Sequence, residues 1–260
     1  MAKIAPEQFF DPDSFDDPVI GIAADMGLHD SGRHSHHRHQ LLFSAAGTIT
    51  IELENTLCLL PPHRAAWIPA GTVHRAMMRG VMAYRSLYFS TTLPFSELPL
   101  QIVEVNPLFF AVIERMAFWP WGMAAEQQTS LINVFSEELQ TARSENRRLP
   151  FPSDARLSAW LDRVRGGELP PRLNQLAQQA GACERTICRI FIRDTGMNYQ
   201  SWRQQWRLLK AIEMLADGLS INQVAQRLEF VSDSAFIAFF RQHTGTTPTR
   251  YPLTLSENNG

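Results

Sequence analysis

The 260-residue chain carries 24 Lys and Arg against 26 Asp and Glu, a formal net charge of −2, and 45% of its residues are hydrophobic. This composition excludes a largely disordered chain, and no apolar run approaches the roughly 18–20 residues of a membrane span. The acidic start of the chain lacks a signal-peptide core, and three cysteines outside any CxxC pair exclude a disulfide scaffold. We therefore expect a cytoplasmic protein of one or two domains with no membrane partner.

The charges are unevenly distributed along the chain. Residues 1–156 contain 12 basic and 17 acidic residues, a net charge of −5, whereas residues 157–260 contain 12 and 9, a net charge of +3. Seven of the eight histidines precede residue 80. The near-zero total therefore hides two regions of different chemistry, and it does not exclude binding to nucleic acid.

The first region is predicted to be mostly strands. Short segments rich in apolar and β-branched residues alternate with turn signals such as Gly47, Pro61-Pro62 and Gly71, which is typical of an all-β barrel or sandwich. The predicted strands are 19–24, 39–45, 47–53, 57–60, 64–69 and 81–89.

Helical periodicity replaces this pattern from residue 107, with predicted helices at 107–118 and 126–142. Residues 149–156 contain two prolines and are the best linker candidate, and everything after them is predicted to be helical. The expected organisation is a two-domain α+β protein, with a first domain at 15–148, a linker at 149–156 and an all-α domain at 157–251.

The helical region contains an internal repeat with a period of 48–49 residues. Its recurring positions are Ala177, Phe191 and Gly196 in the first copy and Ala225, Phe240 and Gly245 in the second. Each copy predicts two short helices joined by a tight turn, at 173–181 and 183–196 and again at 221–228 and 232–245. This arrangement is typical of a DNA-reading helix-turn-helix.

A long helix is predicted between the two copies, at 198–218. Its buried stripe includes Trp202 and Trp206, and we expect Arg203, Arg207 and Lys210 on the opposite side, facing DNA phosphates. Ser232 is the expected N-cap of the second reading helix.

Residues 157–251 resemble the tandem helix-turn-helix domain of AraC/XylS-type transcription regulators. The resemblance rests on the segments GACERTICRIFIRDTGMNYQSWRQQWRL and QRLEFVSDSAFIAFFRQHTGTTPTRY, with Pro248 opening a final helical turn. It implies that two helices enter successive major grooves of promoter DNA. The implied base-reading residues are Arg185, Cys188, Arg189, Ser232, Asp233, Ser234 and Ala238, and the implied phosphate contacts are Arg203, Arg207, Lys210, Arg241 and Thr247.

Three positions depart from that family's pattern. Cys183 replaces the usual Ser or Thr cap, and Glu229 replaces a turn glycine, which costs roughly 1–2 kcal/mol if the turn needs a positive φ. Asp233 brings a negative charge close to phosphate. We therefore expect the first copy to carry most of the sequence readout and the second copy to position the protein.

A histidine-rich segment leads into the predicted strand 39–45, and a further histidine follows the predicted strand 64–69. His34, His36 and Gln40 in RHSHHRHQLL, together with His74 in PAGTVH, resemble the two halves of a cupin metal motif, with Gln40 in place of a Glu. Three interpretations remain open: a divalent metal site, since imidazoles and a carbonyl oxygen suit Zn, Ni, Fe or Cu; a small-ligand pocket that also includes Trp67; or solvated residues at strand edges.

The combined resemblance implies a cupin-like sensor joined to a DNA-binding domain. The expected protein is a homodimeric transcription regulator, dimerising through the two middle helices, that responds to a small-molecule effector and has RNA polymerase as a further partner. Similarity of the whole layout to the subgroup of nitroimidazole-resistance regulators implies repression of a neighbouring drug-efflux gene. We do not expect an enzyme. The alternatives are a cupin-type metalloenzyme and a metal- or redox-sensing regulator that uses Cys183 and Cys188.

Overall fold

The computed structural model of this chain describes residues 10–25, 27–93, 98–145 and 148–251. They form two compact units: unit 1 comprises the described residues of 10–53 and 59–145, and unit 2 comprises residues 54–58 and 148–251. Unit 1 is rich in β-sheet and unit 2 is mostly helical, which confirms the predicted two-domain α+β class. No helix in these ranges is long and apolar enough to cross a membrane.

The sheet of unit 1 is antiparallel, with strand order β1-β6-β3-β5-β7-β8 and with β2 paired to β6. The fourth strand, β4, has its first three residues in unit 2. The strand bounds are β1 Val19–Ala24, β2 Gly27–Asp30, β3 His39–Glu52, β4 Thr56–Leu60, β5 Arg64–Ile68, β6 Arg75–Phe89, β7 Gln101–Glu104 and β8 Ser144–Glu145.

Strand β3 is a single long strand where the sequence predicted two strands and a turn at Gly47. Gly47 has a positive φ of 80°, and the pairing of β3 with β6 shifts register between Ala46 and Thr48. A β-bulge at a glycine produces this geometry, because it absorbs one extra residue without ending the strand. The bulge joins residues 39–46 and 48–52 into one strand.

Two helices, α1 (Pro107–Ala117) and α2 (Ala125–Thr141), pack against the sheet. Asn106 caps α1 by accepting a 2.8 Å hydrogen bond from the N–H of Phe109, and Pro107 occupies the first helical turn, where its missing N–H has no cost. Strand β1 approaches α1 so closely that a Cβ on Gly21 would lie 2.2 Å from the Met116 carbonyl oxygen. A glycine is therefore required at this contact.

The core of unit 1 lies between the sheet and these helices. Large side chains that are almost completely excluded from solvent meet there, and burying each contributes roughly 1.5–3 kcal/mol. The largest of them are Phe43, Trp67, Phe89, Phe109 and Phe135.

Unit 2 contains the repeated helix-turn-helix predicted from the sequence. We call α4 and α5 the first helix pair and α7 and α8 the second helix pair. The element bounds are β9 Arg148–Pro150, α3 Ser158–Arg165, α4 Leu173–Gln179, α5 Glu184–Thr195, α6 Tyr199–Ala216, α7 Ile221–Arg227 and α8 Asp233–Thr244, followed by a 3₁₀ turn at Pro248–Arg250.

Residues 149–156, the expected linker, are packed within unit 2 rather than extended as a spacer. Strand β9 pairs antiparallel with Thr56–Cys58, and Leu149 and Phe151 are 0% and 2% exposed. The indole Nε1 of Trp202 donates a 2.6 Å hydrogen bond to the Pro150 carbonyl. The buried side chains of Leu149 and Phe151 therefore make this segment part of the helical unit.

Candidate DNA interface and effector site

The reading helix of the first pair, α5, begins after a tight turn at Gly181, whose φ of +59° allows the N–H of Ala182 to bond the Ala177 carbonyl at 2.9 Å. Ile187, Ile190 and Phe191 are buried and fix one face of α5 against the rest of unit 2. The opposite face is therefore available for a partner.

Arg185 and Arg189 lie one turn apart on this outer face, and both side chains are exposed. Neither has an ion-pair partner among residues 148–251 or elsewhere in the described ranges. Cys188, between them, is half-buried, and Ile192 continues the same face at 58% exposure. Two free guanidinium groups at this spacing suit the edges of guanine bases.

Cys183 is the N-cap of α5, but its side chain makes no capping hydrogen bond to the backbone. Its Sγ lies 3.3 Å from Oγ1 of Thr186. The Thr186 hydroxyl and N–H groups at the start of the helix lower the pKa of the exposed Cys183 thiol.

The second pair has conventional caps at both helices. Ser220 and Gln223 form a capping box on α7, and Ser232 Oγ accepts a 3.2 Å hydrogen bond from the N–H of Ala235 at the start of α8. The Asp233 carboxylate accepts a 3.2 Å bond from the Asn222 amide, which joins α8 to α7. The hydroxyl of Ser232 and the carboxylate of Asp233 are thus both engaged within the protein.

The outer face of α8 forms one wall of a shallow groove. The predicted residues Ser234, Ala238, Arg241 and Thr247 all lie along it, joined by two residues that the sequence did not single out, Ile237 and Gln242. Matching the two helices at their N-caps places Ser234 where α5 has Arg185 and Ala238 where it has Arg189. This face is therefore much less basic than its counterpart.

The three cations of α6, expected at DNA phosphates, have partners inside unit 2 instead. Arg203 is 8% exposed and donates from Nε to the Pro170 carbonyl at 2.6 Å, and the Nζ of Lys210 lies 2.7 Å from the Glu213 carboxylate. Arg207 stacks 3.8 Å above the Phe230 ring and donates to the Leu228 carbonyl at 2.5 Å.

These contacts have a common physical reason. The α6 helix is central in unit 2, so its long basic side chains reach the carbonyls and rings of neighbouring segments and bury their stems. Burial also lowers the pKa of Arg207 to about 10. All three cations therefore have their charged groups engaged within unit 2.

In unit 1, three of the four predicted histidine-site residues form a cluster. One nitrogen each of His34, His36 and His74 lies within 4.8 Å of the others. His34 and His74 are joined by a pair of backbone hydrogen bonds of 2.9 Å, N–H to carbonyl in both directions. Each ring also turns Nδ1 to a nearby backbone carbonyl, at 2.6–3.1 Å.

Two of these imidazoles are removed from water. His36 is 5% and His74 1% exposed, and burial lowers the pKa of both, that of His74 to about 4. Both rings are consequently neutral near pH 7 and can use a nitrogen lone pair for binding.

Gln40, the fourth predicted residue, adjoins this cluster. Its Oε1 lies 3.2 Å from Nε2 of His36, and its Nε2 donates to Ser86 Oγ at 2.9 Å and to the Tyr88 hydroxyl at 3.0 Å. Ser86 and Tyr88 were missed by the sequence reasoning. Their period-2 spacing on β6 was the available signal, because alternate residues of a strand share a face.

Trp67, predicted to line the ligand pocket, lies in the hydrophobic core. It is 0% exposed and its ring is 5.3 Å from that of His39, 5.3 Å from that of Phe89 and 6.4 Å from that of Phe135. Its neighbour His39 is itself 4% exposed. Strand alternation puts Trp67 on the face of β5 that meets the helices, so it supports the site from the core.

Two family profiles match this chain. An AraC-like ligand binding domain matches residues 18–128, and a helix-turn-helix domain matches residues 176–252. Together they correspond to the sheet-rich and helical units.

Individual relatives agree with these matches. The chain is 28% identical over 248 residues to the HTH-type transcriptional regulator NimR of Escherichia coli K12, covering 93% of this chain and 90% of that protein. It is 34% identical over 113 residues to the HTH-type transcriptional regulator RipA of Corynebacterium glutamicum, covering 44% of this chain and 34% of that protein. ToxT from Vibrio cholerae aligns over 90% of this chain and 96% of its own at 12% identity and a TM-score of 0.36, too low to support a functional argument.

Proposed function

The chain belongs to the AraC/XylS-type transcription regulators, and from that premise we propose that its two helix pairs divide the work of DNA recognition. In this proposal α5 reads base edges in one major groove. Helix α8 enters the next groove and mainly fixes the register of the protein on the duplex.

The observation that carries the proposal is the pair of exposed guanidinium groups on α5. Arg185 and Arg189 have no ion-pair partner in the described ranges and lie one turn apart. Arginine makes bidentate hydrogen bonds to guanine O6 and N7, each worth about 1–3 kcal/mol of discrimination. Cys188 lies between them and would contact the same step of the groove.

The α8 face supports positioning rather than strong readout. Ser234 offers one hydroxyl and Ala238 one methyl group, which suits a thymine methyl. Arg241 is exposed and lines the same groove of the protein surface as Thr247, so both side chains can contact a DNA phosphate there. Ser232 and Asp233 contribute through their capping and α7 contacts, which orient the helix.

A base-by-base scan of the operator tests this division. Binding should be measured at one fixed salt concentration for every single-base change across both grooves. We expect losses of about 1–3 kcal/mol at two or three positions in the α5 groove and smaller losses in the α8 groove. Equal sensitivity in both grooves would refute the proposal.

We further propose that the effector site is the cluster of His34, His36, Gln40 and His74, and that the protein acts as a homodimer. Apolar side chains exposed at α1 support self-association: Leu108 is 54% and Phe118, just after the helix, 50% exposed. Sedimentation of the wild type and of Leu108→Asp tests this, and a monomeric wild type at micromolar concentration would contradict it.

We also propose that the protein acts in the cytoplasm and represses a neighbouring drug-efflux transporter gene. RNA polymerase would be a further partner, which the protein either contacts or competes with at the promoter. No enzymatic role is proposed. The 28% identity to an HTH-type transcriptional regulator over 93% of this chain supports a role in transcription regulation. The repression and the efflux target rest on the subgroup resemblance of the sequence. Deleting the gene and measuring transcripts of adjacent genes tests it. Unchanged or reduced transcription of a neighbouring transporter would contradict repression.

A further inference from the structure

In the histidine cluster of unit 1, the positions of the imidazole ring protons favour binding of a cation. A carbonyl oxygen can only accept a hydrogen bond, so the Nδ1 atoms of His34, His36 and His74, which face the carbonyls of Gly32, Arg38 and Thr72, each carry the ring proton. A neutral imidazole has one N–H. Nε2 of the buried His36 and His74 rings is therefore left with a lone pair.

These lone pairs have no sufficient protein partner. Nε2 of His74 is buried and makes no hydrogen bond to any described residue. Nε2 of His36 faces Oε1 of Gln40 at 3.2 Å, and both atoms are acceptors in this arrangement. Leaving buried acceptors opposed or unpaired is unfavourable.

The Gln40 amide lies with its nitrogen toward two hydroxyl groups and its oxygen toward His36. Both of its N–H bonds are used, one toward Ser86 and one toward Tyr88, so the amide oxygen is directed at His36. In the absence of a cation, the amide would have to turn over so that its Nε2 donates to His36.

We propose that His34, His36 and His74, with the amide oxygen of Gln40, bind one divalent first-row transition-metal ion. Metal-bound histidines characteristically donate their second ring N–H to a backbone carbonyl, which fixes the ring and its tautomer, and all three rings here are held in that way. Imidazole and carbonyl donors suit zinc, nickel, copper or iron. Half-buried His34 leaves one side of the site open to solvent.

The donor set is electrically neutral, and this has a consequence for the effector. A bound divalent ion keeps its full charge, because no carboxylate or thiolate ligand offsets it. The open side of the ion therefore favours an anionic ligand. This step rests on the proposed effector role of the cluster, whereas binding of the metal itself does not.

The test uses the full-length protein, purified without a histidine tag and dialysed against a chelator. Titration with Co²⁺, followed by its visible absorption, and with Zn²⁺, followed by calorimetry, should give one ion per chain. His74→Ala and His36→Ala should weaken binding at least about 100-fold, and Gln40→Leu about 10-fold or more. Gln40→Glu should bind more tightly than the wild type.

His37→Ala is the matched control, because His37 lies next to the cluster in sequence, is 95% exposed at its side chain and bonds Asp13 instead. It should bind metal like the wild type, and circular dichroism should show that every variant is folded. A stoichiometry well below one, or equal binding by His36→Ala and the wild type, would overturn the proposal. Promoter binding is measured separately on the metal-free protein, so failure of DNA binding and failure of metal binding are distinguishable.

Discussion

The first and second helix pairs of unit 2 have nearly the same backbone and very different surfaces. In each, a 7-residue helix is followed by a tight turn and a 12-residue helix that ends at a left-handed glycine, Gly196 or Gly245. The buried phenylalanines Phe191 and Phe240 occupy the same place, both 0% exposed. Packing thus holds the two copies to one geometry.

What differs is the side that faces away from this core. The first pair presents Arg185 and Arg189, and the second presents Ser234 and Ala238 at the matching positions. The N-caps of the two reading helices also differ. Ser232 of the second pair makes a capping hydrogen bond, whereas Cys183 of the first pair does not. The better-capped reading helix is thus the one with less capacity for direct base readout.

The largest expected effect comes from removing the guanidinium groups of the first pair. Arg185→Ala and Arg189→Ala should each cost about 1–3 kcal/mol of specific binding, roughly 5- to 150-fold, and relax base preference at one position. Anisotropy titrations with operator and scrambled duplexes at one salt concentration measure this.

Ser234→Ala in the second pair is the matched control for these variants. It should change operator affinity only a few-fold. If Ser234→Ala lowered operator affinity as much as Arg185→Ala, both helix pairs would read bases, and the proposed division between them would be wrong.

A smaller effect is expected at the equivalent turns, where Gly181 has φ +59° and Glu229 has φ +55°. A Cβ at Gly181 would meet nothing within 4 Å, so Gly181→Ala tests backbone strain alone and should destabilise unit 2 by roughly 1–2 kcal/mol. Glu229→Gly should stabilise it, by less, because the 3.6 Å ion pair with Arg203 is lost. Urea unfolding followed by tryptophan fluorescence measures both.

The two substitutions at the turns must change stability in opposite directions. If Glu229→Gly destabilised the protein as much as Gly181→Ala, the Arg203 contact would outweigh the strain at the second turn. Glu229 would then be a structural residue of that turn.

The smallest effect concerns the acid sensitivity of unit 2, through Asp154 before α3 and Asp194 in the first pair. Hydrogen bonds from Arg156 lower the pKa of Asp154, and those from Arg193 lower the pKa of Asp194, relative to an unfolded value of about 3.9. A carboxyl group whose pKa is lower in the folded state stabilises the fold above its unfolded pKa. That contribution is lost as pH falls through the folded value.

Unit 2 should therefore lose stability as the pH falls below about 4, and Asp194→Asn should make this loss less steep. The second pair has His243 at the position of Asp194 and lacks this source of acid sensitivity. Urea midpoints measured from pH 6 to pH 3 test the prediction. Parallel curves for the wild type and Asp194→Asn would contradict it.

The helices of unit 2 could be predicted closely from the sequence because their signals are local. Apolar residues recur at helical spacing, and the ends are marked by Asn198, Ser220, Ser232, Gly196 and Gly245. Glu229 has a positive φ, as Gly181 has at the equivalent turn, so the condition under which the missing glycine costs strain is met.

The strands were predicted less completely. Strand β2 was missed because its residues are mostly exposed and show no alternation. It lies off the main strand order and pairs with β6. Gly47 was interpreted as a turn because a bulge and a turn have the same sequence signal. Only the pairing of β3 with β6 distinguishes them.

The candidate sites likewise depend in part on contacts between segments that are distant in sequence. The cluster of His34, His36 and His74 was predicted from its motif, whereas the partners of Gln40 come from another strand and needed the register of the sheet. The inner contacts of Arg203 and Arg207 depend on tertiary neighbours, Pro170 and Leu228, that no local pattern identifies.

The membership of residues 54–58 in unit 2 limits how this protein can be cut or recombined. A fragment that begins at residue 148 would lack the strand partner of β9 and the Asn55 carbonyl, which accepts a 2.8 Å bond from the N–H of Phe151. A chimera that exchanges the helical unit at a single junction would leave the same groups unpaired. The helical unit is thus encoded by two separate stretches of the gene, and a designer who wishes to transplant it has to carry both.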